Sequence, residues 1–177
     1  MDAGIKETLI GWAEEYNDPK YFQEDPIIFP TRFARKYEAG EAVLADVEIA
    51  GLLAAHLAWG RRAMIVRDCD RMFEEMCWRP YDYVMNGEYR NEDVSLHRTI
   101  KWSQFAQICE NLRNIYGERD SLEGLTDTDI RCRIFGQKED RKAPNKKISM
   151  MRRWMVRDDG KVDLGVWKNS DKANLIL

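Results

Sequence analysis

The chain lacks any apolar run approaching the roughly 18 residues that a membrane-spanning helix needs. It is also poor in the residues that staple small folds or hold metals, with four cysteines (Cys69, Cys77, Cys109 and Cys132) and two histidines (His56 and His97). The cysteines are scattered through helical patterns, with neither paired metal-ligand spacing nor a disulfide framework. Neither histidine has Cys, Asp or Glu in a ligand-like cluster, and His56 lies in an apolar helix, so a satisfied core histidine is the plainer reading for both. The first residues, Met-Asp-Ala-Gly-Ile-Lys-Glu, carry no basic segment leading into an apolar one, which argues against a signal peptide. These absences lead us to expect a cytoplasmic protein with reduced cysteines, no membrane partner, no metal cluster and no cofactor.

What is present is ordinary in amount and uneven in place. The 177 residues are 44% hydrophobic and 33% charged, enough for one globular domain with a real core. The net charge of −3 hides a gradient. Residues 1–50 carry 11 acidic and 5 basic side chains, whereas residues 131–157 carry 10 basic and 2 acidic ones. A basic block of that kind suits a polyanionic partner. The alternative is that the two halves neutralise each other across a helix interface.

The chain reads as mostly helical, and no strand pattern or internal repeat stands out. Ile5, Leu9, Trp12 and Tyr16 mark a first helix that Asn17-Asp18-Pro19 ends. Three of the five prolines fall in residues 19–31, an ordered loop. Asp46 is a candidate N-cap for a helix from Val47 to Trp59, apolar on nearly all sides and therefore central, with Gly60 as its stop. A second helix follows, burying Met64, Ile65, Cys69, Met72, Phe73 and Met76 and fading near Pro80. A third spans roughly Ser103 to Tyr116, with Phe105, Ile108, Cys109, Leu112 and Ile115 inward. Residues 136–144 read as a polar, basic loop closing at Pro144. The apolar ending Asn174-Leu175-Ile176-Leu177 leads us to expect the N-terminal part of a longer chain. We divide it into residues 1–45, an N-terminal helix and Pro-containing loop, and residues 46–177, the helical core.

Residues 145–157, Asn-Lys-Lys-Ile-Ser-Met-Met-Arg-Arg-Trp-Met-Val-Arg, are the most informative stretch. A lysine at a helix N-terminus sits at the positive end of the macrodipole, among other cations, and both effects disfavour its protonated form. A neutral amine is what attack on a sugar carbon or a carbonyl requires. On a helical wheel Ile148, Met150, Met151, Trp154 and Met155 form one apolar arc, Lys146, Arg153 and Arg157 flank it, and Lys147 points towards the arc beside Trp154. An amphipathic core helix with a solvated basic edge accounts for the same pattern. Trp59 and Trp154 could stack on an extruded base, although a tryptophan on an apolar helix face is usually core.

Glu48-Ile49-Ala50-Gly51-Leu52-Leu53-Ala54-Ala55-His56-Leu57-Ala58-Trp59-Gly60-Arg61-Arg62, Pro80-Tyr81-Asp82-Tyr83-Val84-Met85-Asn86, His97-Arg98-Thr99, and Met151 to Arg157 running on through Val162 to Lys168 resemble a bacterial family of conserved proteins of unknown function. That family is remotely similar to the helix-hairpin-helix superfamily of DNA glycosylases and lyases, including its archaeal 8-oxoguanine branch. The resemblance implies an all-α, DNA-glycosylase-like helical domain in which residues 47–59 and 61–77 form the first helical layer. It also implies a lysine that attacks C1′ of a damaged nucleotide. Register matches that lysine to Lys146, because a start at Lys147 would bury Arg152. The Gly-rich hairpin that precedes the family's lysine is replaced here by Gly136 to Lys142. The family's assisting aspartate would fall just beyond Leu177, leaving Asp163 as the substitute within the chain, with a turn or a cap for a short helix at 164–168 as its plainer role.

The expectation is therefore a DNA-binding, base-excision glycosylase/AP lyase with a Schiff-base lysine. Lys146 is its nucleophile, Asp163 its carboxylate, and Arg61, Arg62, Lys138, Arg141, Lys142, Lys147, Arg153 and Arg157 contact DNA. The alternatives are a non-catalytic nucleic-acid-binding helical module and a helical protein-interaction domain.

Overall fold

A helix that is apolar on nearly every side has no face to give to water. In the computed structural model, which describes residues 3–140 and 145–175, helix α3 (Leu44–Leu57) is such a helix. From Val47 to Leu57 every residue is buried except His56. Ahead of it run α1 (Ala3–Tyr16), a 3₁₀ turn (Pro19–Phe22) and α2 (Ile28–Glu38). After it come α4 (Arg62–Glu75), α5 (Pro80–Asn86), a hairpin of β1 (Ser95–His97) and β2 (Ile100–Lys101), and α6 (Trp102–Glu118). The short α7 (Asp127–Asp129) runs into a π-helical turn (Ile130–Ile134), and α8 (Lys146–Val156) precedes an irregular C-terminal segment that ends in a 3₁₀ turn (Lys172–Asn174). α3 packs against α2, α4, α5 and α8, and the buried apolar residues form one cluster from Ile27 to Trp167. Among the described residues no helix is long and apolar enough to cross a membrane.

The protein is mostly helical, as its periodicity predicts, and α6 buries Phe105, Ile108, Cys109, Leu112 and Ile115 as expected. Several boundaries differ for physical reasons. α3 starts at Leu44, so Asp46 is its third residue rather than its N-cap. From there Oδ2 accepts from the Val43 N–H (3.0 Å) and Oδ1 from the Tyr81 N–H (2.9 Å), tying α5 to α3. The helix ends at Leu57, and Gly60, at φ +108°, makes the turn into α4 instead of capping α3 directly. In α4 Met64 is only half-buried, whereas Asp68, a position no apolar pattern marks, is buried. The β1–β2 hairpin pairs Ser95 with Lys101 and His97 with Ile100, strands too short for a period of two to show.

Residues 164–168 are irregular, not helical. Leu164 bridges to Asp158, and Gly165 at φ +58° lies so close that a Cβ there would sit 2.5 Å from that of Asp158. This segment closes the end of α8: the N–H groups of Leu164 and Trp167 donate to the carbonyls of Trp154 and Met155, each at 2.8 Å. α1 forms as predicted, but its stripe is not buried: Ile5, Leu9, Trp12 and Tyr16 are each about half exposed (55%, 49%, 56% and 56%). Among the described contacts it is tied down at its end, by Asn17 Nδ2 on Asp159 (3.0 Å) and by Tyr16 against Tyr21.

Glu48, fully buried within α3, holds the core in register. Oε1 accepts from Ser121 Oγ (2.5 Å) and Trp167 Nε1 (2.6 Å), and Oε2 from Tyr116 Oη (3.0 Å) and the Leu122 N–H (3.0 Å). Burial, and then the neighbouring Glu48 carboxylate, pushes the Tyr116 phenol well above its usual range. Removing the carboxylate strands four donors in the interior. Glu48→Ala is expected to lower unfolding stability by about 4 kcal/mol in urea titration, and Trp167→Phe by about 2 kcal/mol. A loss under about 1 kcal/mol for Glu48→Ala would mean that the donors find other partners.

Candidate functional site

Helix α8 reaches its position through straps at its N-terminal end. Asn145 Oδ1 accepts from Arg131 Nη1 (3.2 Å), and its amide donates to Asp127 Oδ2 (3.0 Å). Arg152, one turn and a half into the helix, donates from Nε to Asp127 Oδ1 (2.7 Å) and from Nη2 to the Leu125 carbonyl. Asp127 itself begins a turn fixed by a capping box, Thr126 Oγ1 accepting from the Asp129 N–H (3.0 Å) and Asp129 Oδ2 from the Thr126 N–H (3.0 Å). The start of α8 is thus held against the α7–π segment, facing the C-terminal end of α3.

Between these elements lies an open cavity of about 720 Å³, lined by His56, Trp59, Arg131, Phe135, Lys146 and Lys147 among others. A second cavity of about 420 Å³ shares His56, Trp59, Phe135, Gln137 and Lys147 as its wall. His56 stacks on Phe135 with ring centroids 4.3 Å apart and planes 17° from parallel. Burial, then the charge of Lys147, then His97 lower the His56 imidazole to about 3, so it is neutral at physiological pH. Lys147 is half-buried, its Nζ donating to the His56 carbonyl and lying 5.6 Å from the centre of the Trp59 ring. Burial lowers its ammonium below the usual lysine range. Lys146 lines the same cavity but is exposed.

The other residues singled out from sequence fall into two groups. Asp163 is buried, yet it does not line the cavity: its Oδ1 lies 3.3 Å from Arg153 Nε and its Oδ2 3.5 Å from Arg157 Nε, and Arg157 also meets Asp159 at 3.2 Å. Burial pushes the Asp163 carboxyl up, and the two arginines oppose that shift. Seven residues separate Lys146 from Arg153, about 10 Å along the helix. The stripe of Lys146, Arg153 and Arg157 is therefore divided, its far end committed to carboxylates. More widely, Arg133 pairs with Glu118 and Arg152 with Asp127, so much of the basic block is balanced from residues 118–163 rather than from the acidic residues 1–50.

Arg61 and Arg62 are exposed at the turn into α4, whose Gly60 lines the larger cavity. Lys138 is exposed in the coil beyond Gly136, and Arg141 and Lys142 lie outside the described residues. Trp154 is core, whereas Trp59 is only partly buried and borders the cavity. Among the described residues no group of three or more His, Cys, Asp and Glu is placed to hold a metal ion.

Sequence reasoning passed over the elements that set Trp59. His97 is fully buried between Asp68 Oδ2 (Nδ1, 2.8 Å) and the Trp59 carbonyl (Nε2, 2.9 Å). Asp68 Oδ1 is held by Arg67 (2.8 Å) and Arg71 (3.5 Å). This is the satisfied core histidine expected, with a positioning consequence that no local spacing announces. The guanidinium of Arg98, the next residue, lies 4.3 Å from the centre of the Trp59 ring.

The folded pKa of His56 lies below its unfolded value. Between pH 6.5 and about 3 the unfolded chain therefore binds a proton that the folded chain does not, and stability falls as pH drops. His56→Phe, which keeps a ring against Phe135, is expected to flatten this part of the acid limb by up to about 1.4 kcal/mol per pH unit, read from urea unfolding at stepped pH. Equal slopes in variant and wild type would show that the imidazole protonates in place.

No curated protein matches the chain, and no solved structure does. The family model described as protein of unknown function (DUF2400) matches residues 25–140 and 126–177, taking in the cavity and both lysines. With most of its length covered, the chain belongs to the DUF2400 family of proteins of unknown function.

Proposed function

We propose that this protein binds DNA and carries out base-excision chemistry of the glycosylase/AP lyase kind, with a nucleotide turned out of the duplex into the cavity between Trp59 and the start of α8. The observation that carries the proposal is the half-buried amine of Lys147 in the wall of a cavity with aromatic sides. Trp59, Phe135 and a neutral His56 offer flat surfaces for a base, and Lys146, Arg61 and Arg62 supply cations near its mouth. The volume of about 720 Å³ is large enough for a nucleoside.

Of the two lysines, Lys147 is the better nucleophile, because burial has already moved it towards the neutral form. Lys146, the residue favoured by register, is exposed and suits a phosphate. In the reaction the amine lone pair attacks C1′ and the glycosidic bond breaks, its electron pair leaving with the base, which takes up a proton. The resulting N,O-acetal opens by cleavage of the C1′–O4′ bond, whose electron pair stays on O4′ and takes up a proton, leaving a protonated imine on the lysine. Among the described residues no carboxylate lines the cavity, so burial rather than a neighbouring base supplies the neutral amine. Asp163 supports this chemistry indirectly, by holding Arg153 and Arg157 on the far half of α8.

One observation favours a second reading, a nucleic-acid-binding module without chemistry: Lys147 Nζ satisfies the His56 carbonyl at the end of α3, a structural task of its own. Borohydride trapping on duplex DNA with one abasic site separates the two. We expect a covalent adduct with wild type and with Lys146→Gln, and none with Lys147→Gln. Loss confined to Lys146→Gln would return the nucleophile to that residue. Salt-sensitive DNA binding without any adduct would establish the binding module, and no DNA binding would end both readings.

A further inference from the structure

Most described arginines near the two ends of α8 and along α4 have carboxylate partners: Arg67 and Arg71 with Asp68, Arg133 with Glu118, Arg152 with Asp127, and Arg153 and Arg157 with Asp163. Arg61, Arg62 and Arg98 differ. Among the described residues no carboxylate lies within ion-pair distance of any of the three, although the chain as a whole is acidic.

Arg98 is also held in an unusual way. It occupies the tip of the β1–β2 hairpin in the left-handed region, at φ +54°, a conformation that costs a long side chain free energy and that glycine or asparagine would adopt more readily. Its carbonyl accepts from Ser95 Oγ (2.8 Å), and its neighbour His97 is locked between Asp68 and the Trp59 carbonyl. The guanidinium is laid over the Trp59 ring at 4.3 Å and reaches across Gly60, where a Cβ would meet Nη1 at 2.7 Å. Gly60 is thus the residue that admits Arg98 to the rim of the cavity. A stacked guanidinium keeps its in-plane N–H donors free, and their fork suits two oxygens of one phosphate.

We propose that Arg98 is a phosphate-binding residue for a DNA backbone, set with Arg61 and Arg62 around the Gly60 turn at the mouth of the Lys147 cavity. The proposal rests on the reading that DNA occupies this face. In it the Asp68–His97 pair positions Trp59 and the hairpin tip together, so that the stacking surface and the phosphate anchor keep a fixed separation.

The test is the salt dependence of binding to a labelled duplex with one tetrahydrofuran abasic analogue, followed by anisotropy. Arg98→Asn removes the charge with a residue suited to φ +54°, Arg98→Lys keeps the charge, and Thr99→Ala is a control on the same hairpin. Each phosphate contact contributes about 0.9 to the slope of log K against log salt. We expect Arg98→Asn to reduce that slope by about one unit with an unchanged melting temperature, and Arg98→Lys and Thr99→Ala to retain it. A wild-type slope in Arg98→Asn would overturn the proposal. So would a reduced slope accompanied by a lowered melting temperature in both Arg98 variants, which would assign Arg98 to holding Trp59. Wild-type protein with no salt-dependent affinity would instead remove the DNA reading itself, and the phosphate anchor with it.

Discussion

A carboxylate with no cation beside it among the described residues must be surrounded by donors, and Glu48 is surrounded by four. Those donors come from α6, from residues 121–122 and from Trp167, so one side chain fixes three separate stretches of chain against the central helix. The C-terminal segment, anchored in this way, satisfies the carbonyls at the end of α8. The other end of α8 is strapped to Asp127. A helix held at both ends presents its first residues at a fixed distance from α3, and the cavity exists because of that distance. Packing alone would leave α8 freer to slide, since Met151 and Met155, which fill the space above Gly51, are adaptable side chains.

The cations of this chain do two kinds of work. Along the outer half of α8 they neutralise buried or half-buried acids, and their contribution is to the fold. Around the turn between α3 and α4 they have no acid within ion-pair distance among the described residues. The division follows from local geometry rather than net charge, which is slightly acidic overall. Lys147 belongs to neither group. Its amine is drawn to a helix C-terminal carbonyl, an interaction that favours the ammonium, and is half-desolvated, which disfavours it; the burial wins.

The sequence made the helices legible because their apolar residues recur at the helical period, and α6 and the core of α3 follow that pattern residue by residue. The two lysines at the head of α8 were legible for the same reason. The buried partners of Glu48, and the pairing of Asp68 with His97, were not: these polar groups meet 29 to 119 residues apart along the chain, beyond the reach of any local spacing. The exposed stripe of α1 is the converse case, since periodicity reports an apolar face but not what covers it. Asp163 and the arginines of α8 show a further limit. A wheel places Lys146, Arg153 and Arg157 on one edge, but only the fold decides which of them meets an acid. Arg98 left no trace in local pattern, because an arginine in a left-handed turn runs against the preferences from which turns are read.

The reach of the Glu48 network has a consequence for the order of assembly. Its nearest partner in sequence, Tyr116, lies 68 residues downstream and its farthest, Trp167, 119. During synthesis α2 to α5 emerge with a carboxylate buried in the most apolar of these helices and none of its four donors yet made. The four-donor network around that carboxylate can close only after the last of these partners has left the ribosome. The residue that locks the finished molecule therefore ties the satisfaction of its central helix to the C-terminal segment that carries Trp167.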